Sequence, residues 1–321
     1  MTCYICRVEN VNPENYHIGE ANSAALSQLK SSFSSVGQSG QTLSYMRLRF
    51  NDIPKLEDYL FEGLDIKHLT AQRSNISDLE DNAFGGLGEH LESLDLSQNA
   101  LEKVPSKALE KLTSLVSLNL NFNNIESIHA EAFKGLISLL RLSIYGNKIK
   151  TIDVNAFLGI GGNITRINLG GNLLLSVPSP SLVNLTTLKR LQLHENKIKA
   201  IQKHEFKGMV AADSLDMLNL ATNLLQELPE RAFQNLGALN SLDLEQNSIS
   251  YIHQNAFEGI EDTLEWLTLG SNRLLSIPSY ALRNLTKLRQ LDIRRNNLTV
   301  ITENCLKHFG RNLKFLYLQE N

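Results

Sequence analysis

The amino-acid sequence predicts an α/β solenoid: right-handed coils stacked into a horseshoe, with a parallel β-sheet on the concave side and irregular or short-helical segments on the convex side. Three observations predict it. The stretch LESLDLSQNAL (91–101) sets Leu91, Leu94, Leu96, Asn99 and Leu101 at offsets that fit neither an amphipathic helix nor a lone strand. The same pattern recurs along nearly the whole chain, and the segments between its copies repeat with a spacing of their own.

The copies are LSYMRLRFNDI (43–53), IKHLTAQRSNI (66–76), LVSLNLNFNNI (115–125), LLRLSIYGNKI (139–149), ITRINLGGNLL (164–174) and LKRLQLHENKI (188–198). Then come LDMLNLATNLL (215–225), LNSLDLEQNSI (239–249), LEWLTLGSNRL (264–274), LRQLDIRRNNL (288–298) and the truncated LKFLYLQEN ending at Asn321. The recurrent polar residue is Asn51, Ser74, Asn99, Asn123, Asn147, Asn172, Asn196, Asn223, Asn247, Asn272, Asn296 and Asn321. Successive spacings are 23, 25, 24, 24, 25, 24, 27, 24, 25, 24 and 25 residues, so about twelve repeats fill residues 41–321.

Each copy supplies one short strand whose first, fourth and sixth positions turn inward, where stacked neighbours bury them. The Asn stands where the chain leaves the strand. Its amide can satisfy backbone groups that no ladder reaches, so the column of Asn residues is expected to form an internal hydrogen-bond ladder. In the return half, an aliphatic residue follows five positions after the Asn (Val104, Ile128, Ile152, Val177, Ile201, Leu228, Ile252, Ile277, Ile301). A Phe or Leu follows ten positions after it, from Phe61 and Phe84 to Leu282 and Leu306, forming a spine beneath the convex side. Return segments need more room per copy than strands at about 4.8 Å, and the stack is expected to curve with the strands inside. Pro105, Pro178, Pro229 and Pro278 mark copies that each follow a lengthened one.

These motifs identify the chain as similar to leucine-rich repeat proteins of the roughly 24-residue class, found mainly outside animal cells. The run from Leu48 to Leu109 resembles secreted or surface arthropod repeat proteins, a group that includes chaoptin-like adhesion proteins and the non-catalytic subunit of a shrimp luciferase. The resemblance implies a protein-binding scaffold or accessory subunit, with another protein as partner, such as a small catalytic subunit. The alternative it implies is the ectodomain of an adhesion molecule or receptor, cut at Asn321.

Residues 1–40 precede the repeat and are expected to cap its first coil, with an edge strand in CYICRVEN and a short amphipathic helix in AALSQLKSSFSSV. Cys3 and Cys6 resemble the cysteine-containing amino-terminal cap of extracellular repeat proteins, which implies a disulfide. Two free thiols remain open, and zinc is disfavoured because no second Cys or His pair lies nearby. Cys305 stands where seven other copies carry Ala, which makes it a packing residue rather than a nucleophile. Sequons at Asn75, Asn163, Asn184, Asn284 and Asn297 together with the repeat class favour an extracellular glycoprotein, although the sequence as given opens without a signal-peptide pattern.

With 31 basic against 34 acidic residues, the net charge of −3 gives no argument for nucleic acid or an anionic membrane. No apolar run approaches a membrane span. The eight His residues are scattered, no Ser, His and Asp set converges, and no Gly-rich phosphate loop occurs, so the sequence predicts no enzyme, cofactor or metal.

Function is therefore sought in the outward residues of the sheet, which the repeat leaves unconstrained. Six positions before the Asn, three successive copies carry Arg141, Arg166 and Arg190, flanked by Lys189, Tyr145 and His194. In the same column lie Met217, Trp266 and Phe315, amid Asp243, Glu245 and other acids. A basic middle followed by an acidic stretch with an exposed aromatic suits an oriented protein partner.

Overall fold

The computed structural model describes residues 15–18, 42–209, 213–301, 305–307 and 309–321. Cys3, Cys6, the expected edge strand at 3–10 and the expected helix over 24–36 lie outside those residues. The described chain is a parallel β-sheet solenoid with few helices, and it divides into two compact units, Met1–Ile164 and Thr165–Asn321.

In the first unit the strands are β1 (Asn15–Ile18), β2 (Thr42–Arg49), β3 (Lys55–Leu56), β4 (Asp65–Gln72), β5 (Asp78–Leu79), β6 (Ser93–Asp95), β7 (Ser117–Asn119), β8 (Ser127–Ile128), β9 (Arg141–Ser143) and β10 (Thr151–Ile152). One short helix, α1 (Ser106–Leu109), interrupts the return side. The main sheet runs β1-β2-β4-β6-β7-β9, all parallel, while β3 pairs with β5 and β8 with β10 on the return side. The second unit holds β11 (Arg166–Asn168), α2 (Ser179–Leu182), β12 (Arg190–Gln192), β13 (Met217–Asn219), β14 (Glu227–Leu228), β15 (Ser241–Asp243), β16 (Tyr251–Ile252), β17 (Trp266–Thr268), α3 (Ser279–Leu282), β18 (Gln290–Asp292) and β19 (Phe315–Tyr317). Its main sheet runs β11-β12-β13-β15-β17-β18-β19, with β14 and β16 paired behind it.

The inward leucines follow the repeat. Leu94, Leu118, Leu142, Leu191, Leu218 and Leu267 are all buried at equivalent register positions. No single coil could bury them, because each lies against the coils above and below it. Behind them the spine rings stack: Phe61 on Phe84 with centroids 6.1 Å apart, Phe133 on Phe157 at 5.9 Å, and Phe233 on Phe257 at 6.0 Å. Where the spine residue is Leu109, Leu182 or Leu282, the return segment winds into α1, α2 or α3 behind Pro105, Pro178 or Pro278. Proline fixes φ near the helical value and needs no amide partner, so it starts such a turn at little cost. Pro229, in the copy whose spine residue is Phe233, has no helix after it.

The Asn amides join successive coils. Asn123 donates to the Leu96 carbonyl of the preceding coil at 3.0 Å and to Leu120 of its own at 3.1 Å, while its Oδ1 accepts from the Leu101 amide at 3.1 Å. Asn196 does the same in the second unit, donating to Leu169 and Leu193 and accepting from Leu174. Ser74, shorter, reaches only carbonyls, at Leu48 and Gln72. Asn99 and Asn247 keep the same bonds but are half-buried.

A second periodic feature has no signature in the repeat's leucines. The residue just before each ladder position has positive φ: Phe50, Arg73, Gln98 and Phe122 in the first unit, Glu195, Thr222, Gln246, Ser271, Arg295 and Glu320 in the second. Gly146 and Gly171 occupy the same place. A left-handed residue swings the chain out of the strand so that the next side chain, the Asn, points inward.

Cys305 is buried in the Ala position of its coil with a free thiol. All five sequon asparagines are exposed; Asn75 donates to Asp52 and Asn163 to the Ile137 carbonyl.

Candidate functional site

In the second unit the outward positions of the sheet form a continuous surface. Its leading column reads Arg166, Arg190, Met217, Ser241, Trp266, Gln290 and Phe315, each the register partner of the next. Trp266 is 38% exposed and Phe315 51%, while Met217 is half-buried. Ser241 and Gln290 separate the three apolar side chains, each two strand spacings, about 9.6 Å, from the next. Arg166 and Arg190 are both exposed and face each other across β11 and β12. Arg141 is exposed on β9 in the first unit, where its register partner is Ser117, and Tyr145 there meets Phe122 edge-on at 5.3 Å.

The arginine column is not without counter-charge. Asp216, one residue ahead of β13, brings Oδ1 to 4.0 Å from Arg190 Nε, a loose contact. Lys189 is exposed. His194 lies close over the preceding coil: an added Cβ on Gly170 would sit 2.5 Å from the imidazole.

Below Trp266 the charges are organised in pairs. Arg289 reaches Glu265 at 3.1 Å. Arg294 lies 3.1 Å from Asp292 and 3.6 Å from Glu245, two strands away, an approach that passes over the backbone of Gly270. Burial pushes the Asp243 carboxyl above the ordinary carboxylate value, and the neighbouring charge of Asp292 adds to it. The Glu245 amide, donating at 3.0 Å, and the His194 ring oppose the rise. A partner cation brought beside Asp243 would oppose this rise.

On the return side of the first unit, Ser106 Oγ lies 3.0 Å from His129 Nε2, and His129 Nδ1 lies 2.8 Å from the Ala130 carbonyl. The imidazole is thus oriented by backbone rather than by a carboxylate. Among the described residues no group of three His, Cys, Asp or Glu side chains could hold a metal ion, and no helix is long and apolar enough to cross a membrane.

Five stretches that together cover residues 66–321 without a gap, 66–125, 113–161, 162–217, 213–263 and 262–321, match the Leucine rich repeat family. The chain belongs to that family. No curated protein matches this leucine-rich repeat chain in sequence. Among solved structures it is similar to TLR13 in complex with a single-stranded RNA, at 24% identity over 91% of this chain and 45% of that one, with a TM-score of 0.75. It is also similar to the Toll–Spatzle complex of Drosophila, at 24% identity over 86% of this chain and 39% of that one, TM-score 0.65. An internalin of Listeria monocytogenes aligns at 25% identity over 87% of this chain and 75% of that one, TM-score 0.63. These likenesses show the fold. The leucine-rich repeat chain spans under half the length of the first two.

Proposed function

We propose that this leucine-rich repeat chain is a non-enzymatic extracellular scaffold that holds a partner protein on the outward face of its main sheet, in the second unit. The observation that carries the reading is Trp266: a large ring standing partly exposed at the first position of β17, between small or polar register partners, above charges that are already paired. Binding hot spots have this composition, an aromatic anchor inside a polar rim. The exposed Arg166 and Arg190 extend the face toward a partner's carboxylates, and the half-buried Asp243 and Glu245 toward its cations. Mixed charge of this kind favours a protein over an RNA strand, whose phosphates the acids would repel. Toll held with Spatzle is a structural precedent for a protein ligand on this fold.

The finer reading is an accessory subunit that carries a small catalytic partner, as the resemblance to arthropod repeat proteins implies. The second reading, part of a longer receptor or adhesion ectodomain, draws support from the longer chains that this one resembles. The five exposed sequon asparagines support a secreted or surface location.

The test is capture of partners from extracellular fluid of the native source with the wild-type chain, Trp266→Ala, Arg166→Glu and, as a return-side control, Tyr280→Ala, whose ring is 74% exposed. The reading predicts a stoichiometric protein partner weakened by the first two substitutions alone. Equal capture by all four chains contradicts it.

A further inference from the structure

Independently of the face around Trp266, the first unit carries a cationic and aromatic surface at β2 and β4. Along β2 the outward residues read Tyr45, Arg47, Arg49, and Phe50 follows at the turn. Tyr45 stacks on His68 of β4 with centroids 4.4 Å apart, and the Arg47 guanidinium lies 5.6 Å from the Tyr45 ring centre. At the turn, the Arg73 guanidinium lies 5.4 Å from the centre of the Phe50 ring, and its Nε donates to Gln98 Oε1 at 2.7 Å. Phe50 remains 59% exposed despite that contact.

Between these side chains is a cavity of about 230 Å³ lined by Arg49, Phe50, Gln72, Arg73 and Gln98. Its lining therefore combines two guanidinium groups, two primary amides and one ring. Of the acids on neighbouring positions, Asp95 accepts from the lining Gln72 and from the Ser97 amide, which places one negative charge behind the two guanidinium groups, and Asp52 accepts from Asn75. Phe50, Arg73 and Gln98 all hold positive φ. Gly146 and Gly171 fill the same place in other coils, so the turn does not need a side chain there. Phe50 and Arg73 nevertheless put a ring and a cation on a backbone that disfavours both.

We propose that this cavity receives a sulfated tyrosine side chain from a partner. The volume is that of one large side chain. A phenyl sulfate offers a flat ring to Phe50 and a permanent monoanion, with acceptor oxygens only, to donors on Arg49 and Arg73. A glutamate would satisfy the cations and leave the ring unused. A phosphotyrosine would bring close to two negative charges to a site where part of the Arg73 guanidinium is already committed to Gln98.

The test uses the full chain and four short fluorescent peptides identical but for one residue: sulfotyrosine, phosphotyrosine, tyrosine or glutamate. Anisotropy titration should show the sulfotyrosine peptide binding about tenfold or more tighter than the other three, with Arg49→Gln, Arg73→Gln and Phe50→Ala each removing about tenfold. A Tyr280→Ala chain should bind as wild type, and thermal melts of all variants exclude unfolding as the cause. Equal binding of the tyrosine or glutamate peptide overturns the proposal, as does tighter binding of the phosphotyrosine peptide. Unchanged affinity in Arg49→Gln, which alters only an exposed side chain, places any binding elsewhere and overturns it too.

Discussion

Arg294 crosses the bare backbone of Gly270 to stand 3.6 Å from Glu245, so a pair of charges spans three strands because the middle one has no side chain at that position. An added Cβ at Gly270 would lie 3.4 Å from Arg294 Cγ and from Asp292 Oδ1. In a double-mutant cycle, Arg294→Gln and Glu245→Gln should couple by under about 1 kcal/mol, since both side chains are partly solvated. A Gly270→Ala chain, whose added Cβ meets only ordinary contact distances, should keep that coupling, whereas in a Gly270→Leu chain, whose longer side chain would fill the path, it should fall toward zero. An undiminished coupling in the Gly270→Leu chain would show that Arg294 reaches Glu245 by another route.

The ladder amides predict a much larger effect. Asn147 donates to the carbonyls of Leu120 and Ile144 and accepts from the Ile125 amide, all buried. Asn147→Ala should cost roughly 1–3 kcal/mol in denaturant unfolding, because it strands these groups without solvent. Lys148→Ala, at the exposed neighbouring position, should fall within about 0.5 kcal/mol of wild type. Similar costs for the two would remove the Asn column from the account of stability.

Asp243 predicts a pH dependence. Burial raises its folded pKa above the unfolded value, so the native state holds the proton more tightly and stability contributed by Asp243 is lost as pH rises from below the unfolded pKa through the folded one. Asp243→Asn keeps an oxygen to accept from the Glu245 amide and removes the buried charge. The substitution should therefore stabilise the chain increasingly as pH rises through this window and make little difference below it. Urea unfolding at a series of pH values would show the divergence, and parallel curves would contradict it.

Cys305→Ala should change unfolding free energy by under about 1.5 kcal/mol, because seven other coils already pack Ala at that position. A larger loss, or loss of partner binding, would give the thiol a role beyond packing.

Much of the fold is legible because a repeat converts position into direction. Leu94 and Leu118 are buried, and Trp266 and Phe315 stand out, each at the place that the register assigns. The left-handed residue before each Asn is not legible: Phe50, Arg73, Gln98 and Glu195 share a backbone conformation and no side-chain chemistry. Long side chains are equally silent in a column-by-column reading. Asp216 approaches Arg190 from an offset position, and Arg294 crosses a strand, because rotamers and not register decide their reach. The ring of Phe50 and the cation of Arg73 share the column just before the ladder residue, where the left-handed turn and not the strand register decides how the side chains meet.

The central claim, that the outward sheet face of the second unit holds a protein, is tested most directly by association kinetics with the captured partner. Arg166→Glu should slow association and reduce its dependence on salt, whereas Trp266→Ala should leave association nearly unchanged and speed dissociation. Unchanged rates for both variants against the same partner would contradict the claim and place the interface elsewhere on the chain.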